Sequence, residues 1–266
     1  EYDSLQTQLV SRFGRGSHLQ VSYTYSQLEA NDPLNDAGAG TFAGQITDLA
    51  NPGLDWGKAA LHRPHVANAS LLYHLPALEG QGTWFERLFG DWSVGLIGQY
   101  ATGTALTVYT GTVPGLGGGP AGTGFTDNQR AIRVPGVPCR ASGGPPEQWL
   151  NPNAYTLVGY RLGDTSQMSR RGSCEGPDYF QIDMSLFKDF QVAGSVRAQF
   201  RFEVFNVTNE TNFFGVNTTL GATSVTLDGP VGSATEIIDF TPSGSFGQAF
   251  GARDPRQIQL GFKLFF

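Results

Sequence analysis

Arg256-Gln-Ile-Gln-Leu-Gly-Phe-Lys-Leu-Phe-Phe266 closes the chain. Ile258, Leu260, Phe262, Leu264 and Phe266 recur at every second position, and Gln257, Gln259, Gly261 and Lys263 fill the gaps. Successive side chains of an extended strand point to opposite faces, so this stretch reads as a strand with one apolar and one polar face. An ordinary last strand of a soluble sheet would show the same alternation, which is a weak signal in a single segment.

Composition narrows the choice. Charged residues make up 15% of the 266 residues, below the roughly 25% usual in soluble domains. Aromatics reach 12%, and there are 36 glycines. Mean hydropathy is only −0.20, and no apolar run approaches the ~20 residues of a transmembrane helix. Few charges without long oily runs is what lipid-facing strands produce, because polar residues dilute their apolar ones one in two. The net charge of −6, with no basic run, argues against nucleic acid as a partner. Glu1-Tyr2-Asp3 is neither a start methionine nor a signal peptide, so processing or truncation upstream is the expectation.

Seven segments alternate in this way. Leu5, Leu9 and Phe13 mark the first, followed by a turn at Gly14-Arg-Gly16. Leu19 to Tyr25, Ala67 to Leu75 and Trp92 to Tyr100 mark the next three. The last of these is expected to run past a kink at Thr102-Gly103 to Val108 or Tyr109. Phe180 to Leu186, Val196 to Val204 and the C-terminal strand complete the set. The connections span 14–17, 29–61, 76–90, 110–178, 191–195 and 209–255. Short and long connections therefore alternate, as in an all-β, antiparallel, up-and-down transmembrane β-barrel with short periplasmic turns and long extracellular loops. The segment 76–90 is long for a periplasmic turn. Ser224-Val-Thr-Leu227 and Glu236-Ile-Ile-Asp-Phe240 are candidates for an extra hairpin outside the membrane.

Several segments together resemble the C-terminal third of TonB-dependent outer-membrane receptors, with the Oar-like subgroup (carriers of a carboxypeptidase-regulatory-like domain) the nearest in pattern. They are His62-Arg-Pro-His65 leading into Ala69-Ser-Leu-Leu-Tyr-His-Leu-Pro76, Gly90-Asp-Trp-Ser-Val-Gly95, Trp149-Leu-Asn-Pro-Asn-Ala-Tyr155, Tyr179 to Phe190, Arg201-Phe-Glu-Val-Phe-Asn-Val-Thr-Asn209, and Ala252 to Phe266. The resemblance implies a roughly 22-stranded barrel with an internal plug, of which residues 1–266 are a single C-terminal part. It also implies a TonB box and proton-gradient-driven uptake of a large, scarce nutrient. Plug and TonB box lie upstream in that family and are absent here. The implied partners are outer-membrane lipid, the plug, the remaining barrel strands, TonB, and the barrel-assembly machinery. The last would read Ile258, Leu260, Phe262, Leu264 and Phe266 as an insertion signal. The implied location is the cell outer membrane of a Gram-negative-type bacterium.

Residues that carry chemistry are few. Cys139 and Cys174 are the only cysteines, and an even count in an outer, oxidising loop predicts a disulfide. Four histidines are scattered, and His62-x-x-His65 has the wrong spacing for one helical face, so no metal site is assigned. Residues 115–124 are glycine-rich but lack the lysine of a phosphate loop. Asp32, Asn35 and Asp36 read as a solvated turn rather than a Ca²⁺ loop. No catalytic residue, enzyme activity or cofactor is expected. Trp92, Tyr73 and Phe190 are assigned to the periplasmic aromatic girdle, and Tyr25, Tyr109 and Tyr179 to the outer one. Arg197, Gln199, Arg201 and Glu203 are assigned to the lumen, facing a plug or pairing with one another. Two functional classes stay open: the wall of an active transporter, or a structural β-protein that self-assembles through open strand edges.

Overall fold

A computed structural model gives the fold, described here for residues 1–14, 16–31, 47–48, 50–76, 83–114, 116 and 129–266. Seven long strands form one wall. They are β1 (Tyr2–Phe13), β2 (Ser17–Ala30), β3 (His65–His74), β4 (Trp92–Ala101), β5 (Tyr179–Ala193), β6 (Val196–Phe205) and β7 (Gln257–Phe265). Each pairs antiparallel with the next in chain order. This is the expected up-and-down order, and all seven expected strands are present. Within the described residues, β1 and β7 pair on one side only.

The short turns follow from glycine. Gly14 and Gly194 sit at φ 55° and 54°, in the left-handed region where a side chain meets the backbone. Each hairpin can therefore reverse within two or three residues, and a bulge between Gln191 and Ala193 absorbs the mismatch at the second. The middle connection at the same end carries a short helix, Thr83–Phe89. That helix accounts for part of the excess length of 76–90.

The register carries the alternation across the whole sheet. Leu19, Leu71, Leu96, Met184, Val204 and Ile258 lie directly across from one another in successive strands. So do Tyr73, Val94, Leu186, Phe202 and Leu260. Residues paired across an antiparallel ladder share a face, so these rows build one continuous apolar surface. On the other face run His18, Leu72, Gly95, Ser185, Glu203 and Gln259, then Gln20, Ser70, Ile97 and Asp183, and then Ser22, Asn68, Gln99 and Gln181. A slip of one residue in any strand would mix the two faces.

The apolar face is not a core. Leu260, Phe262 and Ile258 are 68%, 66% and 63% exposed, and soluble proteins rarely leave so broad a patch in water. The buried core lies instead above the long-loop end. It comprises Val108, Leu150, Leu157, Tyr160, Leu220 and Ile237 with their neighbours. Residues 102–178 and 206–256 supply it jointly. They are joined by bridges between Tyr109 and Thr219 and between Arg161 and Glu236. Short antiparallel pairs stiffen this outer layer: Ala105–Leu106 with Cys174–Glu175, Phe213–Val216 with Ala249–Ala252, and Ala222–Leu227 with Ile237–Pro242. The last pair is the extra hairpin expected from sequence.

Two expectations need correction. β4 stops at Ala101 and does not run on to Val108 or Tyr109. The Thr102 side chain accepts from the His65 amide (3.1 Å) and the Gly103 amide donates to Asp178 (2.9 Å), which takes the chain out of the ladder. Gly103 then crosses so close to Gly176 that any Cβ would collide with its carbonyl. The stretch 110–178 is also not a plain loop, because most of the outer core comes from its described residues.

Candidate functional site

The upper end of the wall is held by asparagines. Asn206 and Asn209 adopt φ of 51° and 54°, a conformation that Asn tolerates. The Asp183 carboxylate accepts from the Asn206 amide at 2.8 Å, and the Asn206 side chain donates to the Glu210 carbonyl. The buried Asn212 side chain accepts from the Phe180 amide and donates to its carbonyl, at 2.8 and 2.9 Å. These side chains replace the ladder bonds that β5 lacks where β6 departs, and so position the outer layer on the wall.

The outer layer has two internal fastenings. Cys139 and Cys174 form the expected disulfide, with Cα atoms 5.9 Å apart. The second was not anticipated from sequence. Arg130 and Asp55, both fully buried, pair at 2.6 Å, and Arg171 lies 3.5 Å from the same carboxylate oxygen. Thr47 donates to Asp55 through its amide (2.7 Å) and hydroxyl (2.6 Å). Arg130 also donates to the carbonyls of Ser169 and Leu54. Burial pushes the Asp55 carboxyl up, but the bonds from Thr47 and Arg130 outweigh it and hold the group below its ordinary range. Nearby, burial raises the Tyr160 hydroxyl strongly, against the lowering charge of Arg130 and with a smaller push from Asp164. These contacts join the β2–β3 connection to the β4–β5 connection. They are structural in kind, with no nucleophile or acid–base pair among them.

On the polar face, Gln199 donates to Asp189 (2.9 Å) and Arg201 donates to Gln199 (2.5 Å). Arg201 also lies over the Phe187 ring and Arg197 over Phe265. Arg197, Gln199, Arg201 and Glu203 alternate along β6 and share one face of it. The mutual pairing of Arg197, Arg201 and Glu203 is not found among the described residues; neutral Gln199 and aromatic rings take the arginines instead. A recess of about 320 Å³ on this sheet is lined by His18, Asp183, Ser185 and Glu203, among others.

The girdle assignments divide. Tyr73 stacks on Phe13 (6.3 Å), and Trp92 meets Phe200 edge-on (6.2 Å) on the apolar face. Tyr25 and Tyr23 flank His65 at the other end. Tyr109, by contrast, is buried inside the outer layer and bridges Arg130 and Thr219. Tyr179 is paired with Ala101 on the polar face, and its hydroxyl meets Gln99 and Gln181. Neither belongs to a girdle. His62 and His65 are separately engaged: His62 Nδ1 accepts from the Leu28 amide (3.0 Å), and His65 Nδ1 meets the Tyr23 hydroxyl (2.8 Å). Burial, then the charge of Lys58, lowers the His62 pKa. The glycine-rich stretch 115–124 and the cluster Asp32, Asn35 and Asp36 lie outside the described residues, apart from Leu116.

The family model of the outer membrane beta barrel domain matches residues 1–259. The chain belongs to this family. No curated protein and no solved structure matches it. Family membership places the chain in the outer membrane of Gram-negative bacteria and gives the exposed apolar face its solvent. Ile258, Leu260, Phe262 and their row partners face lipid, where no water competes for them and every strand bond must be made within the sheet. The polar face is the barrel's inner wall. Long loops lie outside the cell, and the short connections lie on the periplasmic side.

Proposed function

We propose that this outer-membrane barrel is the C-terminal wall of a TonB-dependent receptor, of the Oar-like kind, that takes up a large, scarce nutrient. The observation that carries the reading is the outer layer. Three long connections build a folded layer with its own core, a disulfide and a buried ion pair, all above a polar wall. A passive pore has no need of a rigid structure of this size over its mouth, whereas a receptor that must bind before it transports does. The segment resemblance from His62 onward adds to this. In this reading the inner face, with Arg197, Gln199, Arg201 and Glu203, touches a plug. The remaining strands of a roughly 22-stranded barrel pair with β1 and β7. TonB acts through parts outside residues 1–266, and the barrel-assembly machinery reads the C-terminal strand. The wall performs no catalysis.

The test is uptake in cells with and without the TonB system. Loss of uptake on removing TonB supports the reading, and uptake that persists would end it. A second reading draws on the open edges of β1 and β7. These are expensive in a membrane, and a processed fragment that self-assembles would satisfy them. Its signature would be a native polypeptide of the mass of residues 1–266 alone, recovered as an oligomer.

A further inference from the structure

We propose that a recess at the outer mouth of the wall, between Arg63 and Arg253, is a binding site for a ligand carrying an anionic group on an aromatic or other flat apolar body. The recess measures about 220 Å³, and Tyr179, Phe213, Phe214 and Phe250 line it together with the two arginines. The Arg253 guanidinium lies over two rings, 4.9 Å from the centre of Tyr179 and 5.2 Å from that of Phe214. Stacking of this kind fixes the plane of the group and leaves its N–H edge free to donate. Arg63 spends one donor on the Thr102 carbonyl, at 3.2 Å. No carboxylate lines the recess, and among the described residues neither arginine forms an ion pair. In a chain of net charge −6, two cations facing one recess without a counter-charge are an exception that needs a cause.

The electrostatics agree with this reading. Burial, and then the charge of Arg253, lowers the Arg63 pKa, yet an arginine stays protonated under all ordinary conditions. The pair therefore repels. A carboxylate or phosphate between the two would relieve that repulsion and accept from both forks. Tyr179 belongs to the polar face, so the recess opens on the inner side of the mouth, where a soluble ligand arrives. The inference rests on the receptor reading for its biological sense, but its chemistry is tested separately.

The probe is 4-fluorobenzoate, followed by fluorine NMR on the protein folded in detergent. 4-Fluorobenzylamine and 4-fluorobenzyl alcohol serve as cationic and neutral matches. Only the benzoate should bind; raised salt should weaken it, and inorganic phosphate should displace it. Arg63→Gln and Arg253→Gln should each weaken binding at least tenfold, with native gel mobility and an intact disulfide as controls for folding. Displacement by lipid A micelles but not by inorganic phosphate would assign the anion to a lipid headgroup; displacement by phosphate assigns it to a soluble ligand. Equal binding of all three probes, or displacement by neither anion on the unmutated protein, would overturn the site even if a variant fails to fold. Benzoate binding together with TonB-independent uptake would keep the site and remove the receptor reading.

A second, independent observation concerns the helix Thr83–Phe89. We infer that it lies in the periplasmic lipid–water interface as part of the lipid-facing surface. Trp84, Leu88 and Phe89 are all exposed. The Trp92 indole, on the apolar face of β4, donates to the Leu88 carbonyl at 2.9 Å, which holds the helix end against the lipid side of the wall. Beside it, Lys188 donates to the Gly90 carbonyl and lies 5.7 Å from the Trp92 ring centre. Lys188 is buried there and braces the helix end; the exposed apolar helix face, continuous with the Trp92 girdle, fits the lipid–water interface. The measurement is the emission lost on Trp84→Leu in vesicles of phosphatidylethanolamine and phosphatidylglycerol. Quenching of that component by brominated acyl chains is the expected result. Quenching by aqueous iodide instead, or by neither reagent because protein covers the ring, would overturn the inference.

Discussion

At the scale of single residues, Asp55 governs the outer layer. It pairs with the buried Arg130 guanidinium at 2.6 Å and lies 3.5 Å from Arg171, so Asp55→Asn breaks a buried ion pair with Arg130, a change that costs about 3–5 kcal/mol. Hydrogen exchange of the outer-layer amides should show the loss, while amides of β5 and β6 stay protected. The sign of the pH dependence follows from the lowered Asp55 pKa. A carboxyl whose folded pKa is depressed contributes stability above its ordinary value of 3.8 and loses it as pH falls through the lower folded value. Outer-layer protection should therefore be flat from about pH 7 to 5 and decline below about pH 4, and that decline should be absent in Asp55→Asn. An identical decline in both proteins would show that other carboxylates set it. Nothing in the sequence marked this residue. Asp55 and Arg130 are 75 positions apart, and a charge that folds inward looks the same in a sequence as one that stays in water.

At the scale of elements, the wall was legible and the outer layer was not. The wall strands repeat with period two because lipid lies on one side and a wet lumen on the other. Each strand therefore states its own geometry, as Ile258, Leu260, Phe262 and Leu264 do. The overrun of β4 was misread because nothing local distinguishes Thr102-Gly103 as a bend from a bulge; the deciding contacts, from Asp178 and Gly176, come from far along the chain. In the outer layer, Val108, Leu150, Leu157, Leu220 and Ile237 sit in no period, since irregular chain brings each inward separately. Their packing still has a measurable weight. Leu157→Ala, at a fully buried position, should destabilise the layer by about 2–5 kcal/mol and expose it to protease, with the wall intact. The cysteines were legible because only one pairing exists. Their crosslink spans 35 residues, which the chain-entropy model values at roughly 3–4 kcal/mol. Reduction should open 140–173 to proteolysis without altering the wall's migration on unheated gels. Two titratable thiols in the native protein would contradict the disulfide.

At the scale of the whole molecule, a lipid-facing sheet carries a self-supporting outer layer, and the C-terminal strand reports on that arrangement. Phe266 is almost wholly exposed at the foot of β7. Deleting it, or Phe266→Asp, should block assembly into the outer membrane while synthesis continues, as membrane fractionation would show. Normal surface levels of either variant would mean that the C-terminal strand carries no insertion signal. The central claim is that one face of the sheet meets lipid and the other meets water. Its most direct test is a nitroxide scan of positions 257–264 in the protein reconstituted into vesicles, reading collision with oxygen, which favours lipid, against a water-soluble nickel chelate. The account predicts a period of two: oxygen-dominated at 258, 260, 262 and 264, and nickel-dominated at 257, 259, 261 and 263. Uniform access to the nickel chelate at all eight positions would contradict it.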